Sequence, residues 1–189
     1  YNSAKEPGFE ATALGLTASV SFDNAIRTSD SYNVAGIIEG SERPDEAIIY
    51  MGHWDHLGQG IPNAQGDDIY NGAVDNASGT AALIELGEQF AHNPPKRSVV
   101  LVAVTGEESG LLGSAYYAEN PIVPLAKTVG GINIDALNII GKTKNVVVVG
   151  YGKSELEDVL MKHAGHQDRV VEAEETPERG YFYRSDHFS

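Results

Sequence analysis

The sequence predicts an α/β fold in which a mainly parallel, mixed sheet is flanked by helices on both faces. Short apolar segments typical of buried strands alternate along the chain with segments whose apolar residues recur at helical spacing. Such alternation is typical of parallel sheets that helices cover on both sides. The sequence contains no internal repeat and no linker, so we expect its 189 residues to form one domain.

The first strands are predicted from apolar runs that end in turn residues. Residues 32–39 form the first clear strand, and the turn sequence Gly-Ser-Glu-Arg-Pro-Asp ends it. Residues 47–53 form a second strand that is apolar on both faces, as strands inside a sheet are. Residues 1–31 are weakly patterned, and loose alternation over residues 17–22 predicts an edge strand there.

The middle of the chain predicts one long helix and one buried strand. Apolar residues recur at helical spacing over residues 76–92, and the sequence Asn93-Pro94-Pro95 ends that helix. Residues 98–105 form a continuous apolar run that predicts a buried strand.

The remaining elements are predicted on the same grounds: a short helix over 112–119, strands over 128–135, 145–149 and 169–173, and a helix over 154–164. Ser154 and Glu157 have the spacing of a capping box at the start of that last helix. Residues 176–189 are aromatic and irregular.

Charge and cysteine content exclude several classes of function. The 13 basic and 27 acidic residues give a net charge of −14, which argues against nucleic-acid or anionic-membrane partners. The absence of cysteine excludes thiolate zinc sites, Fe–S clusters, disulfides and cysteine nucleophiles. The longest apolar run, residues 99–104, is far shorter than the ~18 residues of a membrane span.

Polar residues stand where the predicted strands end. His53 and Asp55 follow one strand, Glu107 and Glu108 follow another, and Asp135 ends a third. Ligand sites of open α/β sheets lie beyond the carboxyl ends of the strands. We therefore expect these side chains to share one rim of the sheet.

Two further residues complete the set: Asp75, just before the long helix, and His187 near the end of the chain. The set is rich in carboxylates and contains two histidines, which suits zinc, cobalt or manganese. It is too large for one tetrahedral zinc, whereas two metals ~3.5–4 Å apart with a bridging carboxylate would use it fully. Two divalent cations would also balance four carboxylates that otherwise repel each other.

Five motifs occur in a specific order along the chain: His-x-Asp at 53–55, Asp-Asn-x-Ser-Gly at 75–79, Gly-Glu-Glu-x-Gly at 106–110, Asn-Ile-Asp at 133–135 and Ser-Asp-His at 185–187. Their order resembles that of the co-catalytic zinc aminopeptidases of metallopeptidase family 28 (clan MH). The resemblance covers residues 33–189 and implies a fold of the zinc-dependent exopeptidase type.

The resemblance implies two zinc ions per chain and assigns five ligands to them. His53 and Asp135 would hold one zinc, Glu108 and His187 would hold the other, and Asp75 would bridge the two. His56, which lies three residues after His53, has no role in the family pattern, and we interpret it as a loop residue.

The implied activity is the hydrolysis of N-terminal residues of peptides by a metal-bridging hydroxide. Glu107 would be the general base and Asp55 would orient His53. Tyr181 and Tyr183 are candidates for stabilising the charge that develops on the substrate. The family also has a cis peptide bond after its bridging aspartate, which here is the bond between Asp75 and Asn76.

Other functions stay open at this point. A carboxypeptidase of the same clan would need a basic group such as Arg184 for the substrate carboxylate. A glutaminyl-cyclase-like acyltransferase resembles this family but uses one zinc. A non-catalytic binding homologue should have lost ligands, whereas this chain keeps all five.

The ends of the chain differ from the family pattern. The chain begins without the N-terminal helices and first strand that the family usually has, and it stops two residues after His187. We therefore expect a single peptidase domain over residues 1–189 that is truncated at both ends and binds the second metal weakly. The resemblance also predicts a periplasmic or extracellular protein, although no signal peptide is present in these residues.

Overall fold

The computed structural model describes residues 3–189, which divide into two units. The first unit, Tyr1–Asp30, has a 3₁₀ turn at Ser3–Lys5 and no strand among its described residues. The edge strand predicted over residues 17–22 is therefore wrong. A strand requires a hydrogen-bonded neighbour, and in the described structure these residues pair with none, while Val20 and Phe22 stay exposed.

The second unit, Ser31–Ser189, carries all the residues of the predicted site. Over these described residues the elements are β1 (Val34–Ile38), β2 (Arg43–His53), β3 (Gly58–Gln59), β4 (Ile69–Tyr70), α1 (Ala77–His92), β5 (Arg97–Val104), α2 (Leu112–Glu119), β6 (Thr128–Asn133), β7 (Asn145–Val148), α3 (Leu156–Gly165) and β8 (Val170–Ala173). The single domain over residues 1–189 stays a prediction. No helix among the described residues is long and apolar enough to cross a membrane.

The main sheet has four strands in the order β1-β5-β2-β6. Strand β2 pairs in parallel with both β5 and β6, whereas β1 pairs with β5 in the antiparallel direction. The sheet is therefore mixed and mainly parallel, as predicted. Strands β2 and β5 are its central pair, which explains why the sequence of both is apolar on the two faces.

Helices pack on both faces of this sheet, which confirms the predicted α/β class. On one face, Leu83 of α1 is buried and Phe90 of the same helix stacks on Tyr50, with ring centroids 5.6 Å apart. On the other face, Tyr117 of α2 packs on a buried cluster with Ile49, Val102 and their neighbours. The alternating side chains of β2 and β5 thus serve two separate cores.

The structure also contains two small sheets that the sequence does not predict. Strands β3 and β4 form a short antiparallel pair within the loop that connects β2 to α1. Strands β7 and β8 were predicted as strands, but they pair with each other in a separate parallel sheet.

The start of α3 also differs in detail from a capping box. Ser154 Oγ accepts a hydrogen bond from the amide of Leu156, and Glu157 accepts from the amides of Gly152 and Lys153. The same two side chains cap this turn, with partners shifted along the chain.

Parallel pairing brings the carboxyl ends of β2, β5 and β6 to one edge. His53 at the end of β2 lies beside Val104 at the end of β5, and Met51 lies beside Asn133 at the end of β6. The segments that follow these strand ends carry the predicted site residues. The sheet therefore gathers residues that are up to 82 positions apart in sequence.

Helix α1 approaches this edge closely because of a glycine in its first turn. A Cβ at Gly79 would lie 2.5 Å from Ile134 O and closer still to Asn76 Oδ1, so no larger side chain fits. We expect Gly79→Ala to lower the free energy of unfolding by about 1–3 kcal/mol because the helix must move away. Urea denaturation of the two proteins measures the difference.

Gly87→Ala is the matched control in the same helix, since its Cβ would meet only Leu101 Cδ1, at 3.0 Å. Its effect should stay within about 1 kcal/mol, because the methyl group also improves helix propensity. Equal destabilisation by the two substitutions would contradict the proposed close approach.

Candidate metal centre

His53 is the best-buried residue of the candidate site, with an exposed fraction of 0%. Its Nδ1 lies 3.0 Å from the backbone oxygen of Asp55 and 3.9 Å from Asp55 Oδ1. Asp55 thus contacts the imidazole mainly through its carbonyl group, and its predicted role in orienting His53 stays a prediction. An Nδ1–H group that donates to this oxygen leaves Nε2 to face the other site residues, as in metal-binding histidines.

Nε2 of His53 faces two carboxylates. Asp75 Oδ1 lies 3.0 Å from it and Asp135 Oδ1 lies 3.2 Å from it. His53, Asp75 and Asp135 offer donor atoms that all lie within 4.8 Å of one another. These are the residues predicted for the first zinc together with Asp75, and their roles as ligands stay predictions.

The charge state of His53 follows from these neighbours. Burial opposes the charged imidazole, but hydrogen bonds to Asp135 and to the backbone of Asp55 outweigh it and raise the pKa of His53 to about 9. The hydrogen bond with His53 in turn lowers the pKa of Asp135. In the absence of metal, a proton on Nε2 thus supplies the positive charge between the carboxylates.

Asn76 fixes the position of Asp75 relative to Asp135. The buried Asn76 side chain caps α1 by accepting a hydrogen bond from Gly79 N, at 2.9 Å. It also donates to Ile134 O at 2.9 Å and accepts from Ala136 N at 3.2 Å. The peptide bond between Asp75 and Asn76 is cis, which confirms the prediction from the family resemblance.

Ser185 is a positioning residue that the sequence analysis did not identify. Its hydroxyl donates to Asp135 Oδ2 at 2.6 Å and accepts from Asn133 Nδ2, also at 2.6 Å. These bonds tie the irregular C-terminal tail to the end of β6. Ser185 belongs to the Ser-Asp-His motif, but neither the motif nor any periodic pattern indicates which side chains it contacts.

A second group of donor atoms consists of His56, Asp75 and Glu108, again within 4.8 Å of one another. His56 Nδ1 lies 2.7 Å from Glu108 Oε1. Asp75 belongs to both groups, and its role as a bridging ligand stays a prediction. The role of Glu108 as a ligand stays a prediction, and the histidine beside it is His56, which has no role in the family pattern.

His187, the histidine predicted for this second site, belongs to neither group. It lies in the 3₁₀ turn Asp186–Phe188, where its ring packs on Phe182 with centroids 5.2 Å apart. It lines a cavity of about 300 Å³ together with Asn133 and other residues, and its charge helps to lower the pKa of Asp135. His187 is thus near the site, and its role as a ligand stays a prediction.

Glu107 stands at the turn after β5. Its backbone oxygen accepts from Gly110 N and Leu111 N, both at 3.0 Å, which holds the turn in place. Burial raises the pKa of its carboxyl group to about 7; the charge of His53 opposes this shift, whereas Asp135 adds to it. Its carboxylate makes no hydrogen bond or ion pair within residues 3–189, so it is available to a substrate or water.

The other predicted side chains contact neighbouring residues of the C-terminal tail. Tyr181 receives a hydrogen bond from Arg179 at 3.4 Å, and Tyr183 packs edge-on against Phe188. The guanidinium of Arg184 lies over the Tyr181 ring and donates to Arg179 O at 2.6 Å.

The two groups fit divalent cations. Their donors are imidazole nitrogen and carboxylate oxygen, which zinc prefers in the absence of sulfur. Asp75 Oδ1, His56 Nδ1 and Glu108 Oε1 are buried atoms without a hydrogen-bond partner. Buried polar atoms are rarely left unpaired in folded proteins, so an ion that ligates them would satisfy the site.

A sequence profile described as Peptidase family M28 matches residues 33–189. Among curated proteins, the chain is 40% identical over 114 residues to a "Probable zinc metalloprotease" of Pyrenophora teres f. teres, covering 59% of this chain and 23% of that protein. It is 35% identical over 139 residues to "Aminopeptidase NAALADL1" of Mus musculus, covering 68% of this chain and 17% of that protein. The chain therefore spans less than a quarter of either relative.

The fold is also similar to a solved structure. A leucine aminopeptidase precursor from Bacteroides thetaiotaomicron superposes with a TM-score of 0.59 at 20% sequence identity. The match covers 82% of this chain and 58% of that structure. At this identity the likeness establishes the α/β fold.

The buried His53 gives the metal-free chain a specific dependence of stability on pH. Because its folded pKa of about 9 exceeds its ordinary value of 6.5, the folded state binds the proton more tightly. This contribution is fully present below about pH 6.5 and is lost as the pH rises to about 9. We expect the urea midpoint of the chelator-treated chain to fall over this interval.

The variant His53→Gln should lose most of that slope, whereas zinc-loaded wild-type chain should show the opposite trend because zinc binds the neutral imidazole. A midpoint that is flat or rises in the metal-free wild-type chain would contradict the protonated state of His53.

Proposed function

The chain belongs to peptidase family M28, and from this membership we propose that it is the catalytic part of a zinc aminopeptidase that binds two zinc ions. The observation that supports this most directly is the pair of donor groups that share Asp75, with Glu107 beside them. Its relatives include proteins named as a zinc metalloprotease and an aminopeptidase.

In this proposal His53, Asp75 and Asp135 hold one zinc, and Glu108 and Asp75 contribute to the second. When bound, zinc supplies a Lewis acid that polarises a carbonyl group and lowers the pKa of water. Asp55 keeps Nε2 of His53 directed at Asp75 and Asp135 through the contact with Nδ1. Ser185 restrains Asp135 from the opposite side.

Glu107 acts as the general base. Its carboxylate is unpaired and close enough to His53 and Asp135 for their charges to affect it. It accepts a proton from the attacking water and returns one to the leaving amine, the exchange that a positioned carboxylate can catalyse. Asp75 and Asp135 cannot take this role, because both are committed to the group around His53.

The substrate is a peptide with a free N-terminus. The carboxylates of the site attract a positively charged α-amino group and repel a C-terminal carboxylate. Arg184, the basic residue that a carboxypeptidase would need, is held by the Tyr181 ring and Arg179 O. These contacts favour an aminopeptidase over a carboxypeptidase. Export of the protein, which the family resemblance predicts, is part of the same proposal.

We expect the zinc-loaded chain to hydrolyse peptides with a free N-terminus and not the same peptides with an acetylated N-terminus. Amidation of the C-terminus should leave the rate unchanged, because no group at the site is proposed to bind that carboxylate. Chelation should abolish activity and added zinc should restore it. Preference for acetylated peptides or for a free C-terminus would contradict the proposal, as would activity that survives chelation.

We expect Glu107→Gln to lower kcat by about 10²–10⁴-fold, because the amide cannot accept the proton. Zinc content should stay at the wild-type value, since Glu107 belongs to neither donor group. Glu85→Gln, on the exposed side of α1, is the matched control and should be fully active. A Glu107→Gln variant that keeps wild-type kcat would exclude this residue as the general base.

A further inference from the structure

His56 is held in place by the loop that precedes α1. Its ring contacts the ring of Tyr70 edge-on, with centroids 6.4 Å apart. Gly72, with φ of 63°, passes so close that a Cβ there would lie 2.9 Å from His56 Cβ. The Gly72 carbonyl is bound in turn by Ala77 N at 2.9 Å. The imidazole is thus fixed between β4 and the start of α1.

The donor atoms around His56 are as close together as those of an ion pair, but they are not in hydrogen-bond geometry. Nδ1 lies 2.7 Å from Glu108 Oε1, yet neither atom has a partner in hydrogen-bond geometry. Both atoms are buried, and the two side chains are each 21% exposed. Two donors so close and not aligned with each other are arranged as ligands of a common cation are.

The other histidines of the second unit are arranged differently. His92 Nδ1 bonds to the Glu88 carbonyl at 2.7 Å, and His163 and His166 contact each other at the surface end of α3. His187 packs its ring on Phe182. Among the described histidines other than His53, only His56 offers a buried nitrogen that makes no hydrogen bond and lies within 4.8 Å of an oxygen of Asp75.

We propose that His56 is a ligand of the second zinc, together with Asp75 and Glu108. This inference rests on the proposed function, in which the site holds two ions. It gives a role to a residue that the family pattern leaves without one. It concerns His56 alone and holds whether or not His187 also contributes a ligand.

A positioning role for His56 would differ from ligation in a measurable way. If His56 only supported Glu108, an amide could replace it, and the affinity for the second zinc would fall at most ~10–100-fold. A ligand cannot be replaced in this way, because an uncharged amide is a poor zinc donor. The variants His56→Ala and His56→Gln therefore separate the two roles.

The experiment uses the full chain of each protein, loaded with zinc, desalted and analysed for metal content. Titration against a chromophoric chelator gives the affinity of each ion, and visible spectra after cobalt substitution report the ligand environment. His187→Ala is measured in parallel, and His163→Gln serves as the matched surface control. Circular dichroism verifies that each variant is folded.

We expect wild-type chain and His163→Gln to hold two zinc ions. Both His56 variants should keep one ion at wild-type affinity and bind the second more than about 100-fold more weakly. The cobalt spectrum of the second site should change in both. If His187→Ala also loses the second ion, the assignment of His56 is still supported.

Two zinc ions retained by both His56 variants would overturn the inference and leave the proposed function standing. Retention by His56→Gln alone would also overturn it, because His56 would then be a positioning residue. A wild-type chain that binds no zinc would refute the proposed function itself.

Discussion

The geometry of the site depends on the buried side chain of Asn76. One amide group joins the first turn of α1 to the segment after β6 by three hydrogen bonds. Asp75 precedes it in sequence and Asp135 lies beside its partners Ile134 and Ala136. An amide can serve here because it donates and accepts at once, which neither aspartate nor leucine can do. The separation of the two carboxylates is therefore set by a neutral residue that takes no part in the chemistry.

The same site is electrostatically incomplete without cations. Folding brings Asp75, Asp135, Glu107 and Glu108 to one edge of a chain that already carries a net charge of −14. Burial, with a smaller contribution from the neighbouring carboxylates, raises the pKa of Glu107 to about 7, and hydrogen bonds that outweigh burial raise the pKa of His53 to about 9. Protons replace divalent cations only in part. A proton neutralises one negative charge where a divalent cation neutralises two, and it contacts fewer oxygen atoms. In the proposed enzyme, the carboxylates that bind the metal ions are thus the same groups whose charge the folded state must tolerate.

The sequence predicted those features that arise from periodicity and motif order. Strands β2 and β5 are long, apolar and central, so their type and the polar residues at their ends could be predicted with the fold class. The contacts of Ser185 and His56 could not be predicted in this way. They depend on how irregular segments cross the edge of the sheet, and no periodic pattern encodes that path. The strand predicted over residues 17–22 was wrong although a periodic pattern is present there. They alternate as a strand does, but alternation specifies a face and not a pairing partner.

Parallel pairing between β2 and β5 has a consequence for the fidelity of folding. His53 lies opposite Val104, and side chains alternate between the two faces of the sheet. A slip of one residue between these strands would turn His53 to the other face and place Gly52 or Trp54 at the site. The slipped chain would expose apolar side chains and, in the proposed zinc site, would also lose the ligand His53. Metal binding at the proposed site would therefore discriminate between registers, and a cation that binds late in folding would select the molecules in which the sheet is correctly aligned.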